Sequence, residues 1–311
     1  MDHRIDPQLR AILPALPQVD ISDPAAFREA QRLRGLQVAA AAGPLQGVTV
    51  DDRVVPGVAG QPDVPVRIYR PEGSSGVLGV LVWFHGGGYV FGDIASSDRS
   101  CADLATKVGC LVVSVEYRLA PEHPYPAALD DARAALAWVA GESADIGADP
   151  ARIAVGGVSA GAGLAAALAL YNRDHGGPEL VLQVLDNPML DDRVVTQSAT
   201  EFTDTPLWTG QQAVLGWRFY LGETPGEVSP YAAAARAEDL RGLPAAYVAA
   251  NEFDPLRDED LDYAVRLIRA GVPVELHHLP GTFHGSNALP GAEVAERARG
   301  AMYGALARAL G

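Results

Sequence analysis

Cysteine is almost absent: Cys101 and Cys110 are the only two in 311 residues, too few for a disulfide scaffold in a chain of this length. Their expected state is a pair of free thiols in a reducing cytoplasm. Positive charge is also short, with 24 Lys and Arg against 39 Asp and Glu and a formal net charge of −15. A surface of that sign repels phosphate backbones and anionic headgroups, which argues against nucleic-acid and membrane-surface partners. Long apolar runs are missing too. None approaches the roughly 18 residues of a membrane span, and the opening "MDHRIDPQLRAILPALPQVD" has acids in place of a continuous apolar core, so it does not read as a secretory signal. No block of like charges is long enough to suggest a disordered tail. What is present is a 48% hydrophobic chain, long enough for one large α/β domain or two ordinary ones.

Residues 1–45 look helical and amphipathic, interrupted by Pro14, Pro17 and Pro24. "GVTVDDRVV" and "VPVRIYRPEG" then alternate apolar and polar residues as a pair of half-buried strands would. "GVLVWFHGGG" is a continuous apolar run stopped by glycines, which suits a strand buried on both faces. From there strands and helices alternate, with helices expected over about 95–108, 127–140 and 292–309. Such alternation predicts an α/β fold with a mostly parallel, doubly wound sheet and helices on both faces. Residues 190–235 break the pattern with a polar, aromatic-containing insertion. With residues 1–45 it is expected to form a small helical cap, leaving 46–189 and 236–311 as the core. The cap would lie over the carboxyl edge of the sheet, where ligands bind in open α/β folds.

Two glycine-rich stretches carry chemistry. Gly157-Val158-Ser159-Ala160-Gly161 is a G-x-S-x-G pattern between an apolar strand, "RIAVGG", and a helix. A serine on so sharp a turn projects its hydroxyl over the sheet edge, and the flanking glycines avoid collisions that a Cβ would make. An ordinary tight β-to-α turn would fit the same five letters. "FHGGGYVFG" sits at the end of another buried strand. Three consecutive glycines are entropically costly, so a need for bare backbone explains them better than chance, although a flexible hinge would too. Their N–H groups could donate to an oxyanion; neither nucleotide-phosphate glycine motif is present there.

A serine nucleophile needs a base, and the base an orienting carboxylate, expected in the chain order serine, acid, histidine. Of the downstream histidines, His175 lies roughly four turns along the serine's own helix and cannot reach back. His277 and His278 lie in a probable strand and cannot both face one metal, so no zinc site is expected. His284 follows that strand in the loop "PGTFHGS" and is the candidate base. For the acid, Asp254 comes right after the strand "PAAYVAA", with Glu252 as local rival; Asp258, Glu259, Asp260 and Asp262 read as the start of a helix, where acids are favoured.

"HGGGYVFG", "YRLAPEHPYPAALDDARAALAWV", "DPARIAVGGVSAGAGLAAALAL", "DPLRDE" and "GTFHGS" fall in order over roughly residues 80–290. In these motifs the chain resembles the bacterial hormone-sensitive-lipase-like family of α/β-hydrolase esterases, and "LDDRVVTQSATEFTDTPLW" resembles its heroin-esterase branch. The resemblance implies an α/β-hydrolase fold with an eight-stranded sheet. It also implies a catalytic triad of Ser159, Asp254 and His284, and an oxyanion hole from the N–H groups of Gly87, Gly88 and Ala160. His85 is then a structural hydrogen-bonding residue, and Arg118, Glu122 and His123 support the floor of the site. The expected activity is serine carboxylesterase, acting on short-chain acyl esters, with aryl or alkaloid alcohols as candidates and no cofactor or metal. An amidase or lactonase would use the same triad. A non-catalytic ligand-binding protein is a further alternative, as plant gibberellin receptors resemble this family, but they lack the histidine that stands here at 284. Trp208 is the leading candidate for the substrate pocket, ahead of Trp217, Phe219 and Tyr220. Family members often pair through an edge strand and the last helix, so "VPVELHHL" and 292–309 are a candidate homodimer surface. One letter departs: family members usually carry aspartate before the serine, and this chain has Val158, expected to point away from the reacting carbonyl and so to leave the chemistry possible.

Overall fold

The computed structural model describes residues 2–223 and 226–311. Its helices in chain order are α1 (Pro7–Ile12), α2 (Pro24–Ala42), α3 (Ile94–Val108), α4 (Ala127–Gly141), α5 (Ser143–Ile146), α6 (Ala160–His175), α7 (Gln197–Glu201), α8 (Gly210–Leu221), α9 (Arg257–Arg269) and α10 (Glu293–Leu310). Its strands are β1 (Val48–Val55), β2 (Val64–Pro71), β3 (Leu78–Phe84), β4 (Leu111–Val115), β5 (Ala148–Val158), β6 (Leu182–Asp186), β7 (Ala245–Phe253) and β8 (Val274–Phe283). They form one eight-stranded sheet in the order β1-β2-β4-β3-β5-β6-β7-β8. β1–β2 and β2–β4 pair antiparallel; every other pair is parallel. The fold is the expected α/β one.

Local chemistry explains the boundaries. Asp93 caps α3 by accepting from the Ser96 N–H at 2.7 Å, and Gly109 closes it in the left-handed region at φ 78°. The inner strands β3 and β4 are apolar along nearly their whole length because helices cover both of their faces. On one face α4, α6 and α9 bury a large cluster that includes Val82, Val113, Leu136, Leu168 and Val248. On the other, α3 and α10 bury Leu81, Trp83, Val112, Val184 and Leu306. α6 is alanine-rich where it lies on the sheet, and residues 160–170 are buried without a break.

The amino-terminal part differs from its expectation in one respect. Pro24 does not interrupt a helix but begins α2, where its missing N–H would have no partner anyway. The segment before α2 is tied to α8 by the Gln212 side chain, which donates to the Val19 carbonyl. β8 is an edge strand, and α10 packs beside it. Among the described residues no helix is long and apolar enough to cross a membrane. Both cysteines are free and buried, and burial pushes both thiols well above their usual range.

Candidate active site

β5 ends at Val158 and α6 begins at Ala160, so Ser159 alone makes the turn. It does so at φ 58° and ψ −123°, outside the regions an L-residue favours. Its backbone is pinned: the N–H donates to the Asp186 carbonyl at 2.9 Å, and its own carbonyl accepts from Gly163 at 3.0 Å and Met189 at 3.1 Å. The two glycines of the motif are required by crowding. A Cβ on Gly157 would lie 2.4 Å from the Gly161 carbonyl carbon, and one on Gly161 would lie 2.1 Å from the Phe84 oxygen.

Two other strand ends bring in the partners. His284 directly follows β8, and its Nε2 lies 2.9 Å from Ser159 Oγ. Asp254 directly follows β7; its Oδ2 lies 2.7 Å from His284 Nδ1, and its Oδ1 accepts from the Leu256 N–H at 2.9 Å. Ser159, Asp254 and His284 are 5%, 0% and 7% exposed, so water screens this line weakly. Asn251 fixes the histidine loop: its amide donates to the Phe283 carbonyl at 2.9 Å while its oxygen accepts from Thr282 Oγ1 at 2.9 Å. Such a line can pass the serine proton to the ring while the carboxylate holds the other ring nitrogen as donor. The rivals lie elsewhere. Glu252 accepts from the Gly281 N–H at 2.8 Å, His277 pairs with Glu275, His278 is exposed, and His175 stacks on Tyr171.

The three-glycine loop lies against the serine. A Cβ on Gly86 would come within 3.4 Å of Ser159 Cβ. Gly87 and Gly88 take φ of 129° and 59°, where glycine is favoured, and among the described residues no turn or loop hydrogen bond uses their N–H groups. Ala160 is the first residue of α6, so its N–H is one of those a helix leaves unpaired. His85 bonds the Gly86 carbonyl through Nδ1 at 2.8 Å and stacks on Tyr117. Burial pulls it down to about 4, so it is neutral at physiological pH. Arg118 is held by the buried Asp131 at 2.8 Å.

Trp208 is buried with its ring centroid 6.0 Å from that of His284, and a Cβ on Gly88 would lie 2.4 Å from its Cη2. Trp217 and Tyr220, in the same core cluster as Trp208, pack instead on Tyr89, with Tyr220 stacked on it at 3.9 Å. Phe219 is only partly buried, at the margin of the same cluster. Val158 packs into the cluster on the α3 and α10 side, directly opposite Asp186 in the sheet register.

Two contributors were not visible as such in the sequence. Arg28, on α2, donates to the Val90 carbonyl at 2.7 Å and the Ala120 carbonyl at 2.9 Å, and pairs with Glu122 at 2.6 Å. Beside it Phe27 sets its edge against Phe91, 4.8 Å between centroids. Asp186 accepts through Oδ1 from the side-chain amides of Asn187 at 2.9 Å and Asn287 at 2.8 Å. Among the described residues no cluster of His, Cys, Asp or Glu is arranged to hold a metal ion.

Residues 81–287 match the sequence model of a family described as having the alpha/beta hydrolase fold. Esterase LipI of Mycobacterium tuberculosis is 41% identical over 290 residues, covering 90% of this chain and 87% of that protein. Among solved structures, a bacterial heroin esterase superposes with a TM-score of 0.95 at 44% identity, covering 99% of both chains. Esterase LipW from Mycobacterium marinum superposes with a TM-score of 0.90, also at 44% identity, over 99% of this chain and 96% of that one. With strand order, motif order and these similarities in agreement, the chain belongs to the α/β-hydrolase family, in its hormone-sensitive-lipase-like branch.

Proposed function

We propose that the protein is a serine carboxylesterase that hydrolyses short-chain acyl esters through an acyl-enzyme. The observation that carries this is the unbroken line from Asp254 Oδ2 through His284 to Ser159 Oγ, at 2.7 and 2.9 Å. Ser159 attacks the ester carbonyl, and His284 takes its proton and hands it to the departing alcohol. Water activated by the same ring then releases the acid. Asp254 holds the ring and stabilises its charged form. The N–H groups of Gly87, Gly88 and Ala160 receive the oxyanion, where loss of one donor costs on the order of 3 kcal/mol.

Trp208, set against Gly88 and beside His284, closes the space next to the reacting carbon. That favours short acyl groups and an aryl or alkaloid alcohol able to rest on a ring. Residues 1–45 and 190–235 act together as the cap over the site, joined where Gln212 donates to Val19. In the same reading the enzyme works in the cytoplasm, as a dimer pairing β8 and α10.

A p-nitrophenyl ester series of increasing chain length, run on wild type and Ser159→Ala, tests the mechanism. Wild type is expected to prefer the shortest esters and Ser159→Ala to lose at least a thousandfold. Equal rates for the two proteins would refute the nucleophile, and turnover of anilides alone would make the protein an amidase.

A further inference from the structure

Val158, next to Ser159, is apolar, yet a carboxylate is present one strand away. β5 and β6 run parallel with Val158 opposite Asp186, so the two side chains leave the sheet on the same face. Asp186 ends β6, and its main-chain carbonyl accepts the Ser159 N–H at 2.9 Å. Its side chain reaches the other partner of the reaction: Oδ1 accepts at 2.8 Å from Asn287, three residues beyond His284. Asn287 is itself clamped, because Arg299 of α10 donates to its carbonyl at 2.5 Å and to that of Leu289 at 3.2 Å. One residue thus grips the nucleophile's turn through its backbone and the histidine's turn through its side chain.

We infer that Asp186 is a positioning carboxylate of this site, which fixes the turn carrying His284 through Asn287 and supplies negative charge to the buried surroundings of the imidazole. The inference rests on the acyl-transfer reading only for its kinetic consequence. Burial pushes the Asp186 carboxyl up to about 6, opposed by the Asn287 amide, by His284 and by Arg299, and reinforced by Asp254. Tyr247 of β7, Tyr303 of α10 and Asp260 of α9 complete the titratable groups around it, and each is raised in part by the Asp186 charge. Above its midpoint Asp186 is charged and favours the imidazolium that forms during acyl transfer; below it that help is withdrawn.

The register adds a second consequence. An aspartate introduced at 158 would stand beside Asp186, and two carboxylates so close cannot both ionise cheaply. Val158→Asp alone is therefore expected to keep measurable activity at a reduced rate. Pairing it with Asp186→Leu moves the single carboxylate across to β5, and the double variant is expected to exceed both single variants.

The test follows the low-field Nδ1 proton of His284 by NMR, alongside kcat and KM across pH, in wild type, Asp186→Asn and Asp186→Leu. Asp186→Asn keeps an acceptor for Asn287 while removing the charge. It is expected to keep the low-field resonance, which Asp186→Leu shifts or broadens, and to flatten the acid limb of kcat/KM near pH 6, where Asp186 itself titrates. Asp186→Leu removes both, and is expected to lower kcat by roughly tenfold or more while leaving KM within about threefold. A low-field resonance unchanged in Asp186→Leu overturns the inference, as does a double variant no better than the worse single one. The NMR result stands whether or not any ester is turned over, so it separates this inference from the assignment of activity.

Discussion

Ser159 holds a backbone conformation that costs a non-glycine residue about 1–3 kcal/mol, and the surrounding chain over-determines it. Three hydrogen bonds fix its peptide groups, and Gly157 and Gly161 leave no room for the turn to relax. The same exactness governs Gly88. At φ 59°, with the Trp208 ring 2.4 Å from where a Cβ would lie, an added methyl must shift either the indole or the loop. Gly88→Ala is therefore expected to lower kcat by roughly 100- to 1,000-fold through displacement of its N–H donor. Circular dichroism should show the fold retained; a rate within threefold of wild type would mean that this N–H does not receive the oxyanion. Gly157 and Gly161 were legible because crowding leaves no room for a Cβ there, and the serine because of its fixed spacing between them. Asp186 was not, because strand register is invisible in a linear string and nothing near "LDNP" marks which residue lies opposite Val158.

At the scale of elements, α2 rests on the core through few but specific contacts. Leu33, Leu36 and Val38 are exposed, so apolar burial holds its middle weakly. Its first turns carry the attachment: Arg28 bonds two main-chain carbonyls, one of them in the segment just after the three glycines, and Phe27 packs on Phe91. Arg28→Ala is expected to raise KM by about three- to tenfold with a smaller change in kcat, and to open α2 to limited proteolysis. Unchanged KM and proteolysis would show that this attachment does not shape the site. The alternation of β and α elements and the ends of α3 and α4 could be read from the chain to within a residue or so, because capping groups and apolar period are local signals. Arg28 could not, since its guanidinium meets partners 62 and 92 residues away and nothing local distinguishes it from a solvated helix arginine.

For the molecule as a whole, excess acid is not confined to the surface. Glu259 and Asp260 are buried, and burial raises both carboxyls well above their usual range. Glu259 accepts from the N–H groups of Leu190 and Asp191, whereas neither oxygen of Asp260 has a partner among the described residues. A raised carboxyl binds its proton more tightly folded than unfolded. Its effect is absent below the unfolded value, and as pH rises above that value stability falls by about 1.4 kcal/mol per unit until the folded group ionises. Asp260→Asn cannot titrate. Relative to wild type it is expected to gain roughly 5 °C or more in Tm between pH 5 and pH 8, read by calorimetry; parallel pH slopes for the two proteins would contradict it. The order of the site along the chain has a consequence of another kind. Ser159 and His284 are 125 positions apart, and the histidine follows β8, the edge strand. During synthesis at about 5–20 residues per second, Ser159, the proposed nucleophile, therefore emerges on the order of 6–25 s before the proposed base, His284. On the proposed mechanism a nascent chain that lacks β8 holds no base for Ser159, so ester hydrolysis is expected only once that strand has docked.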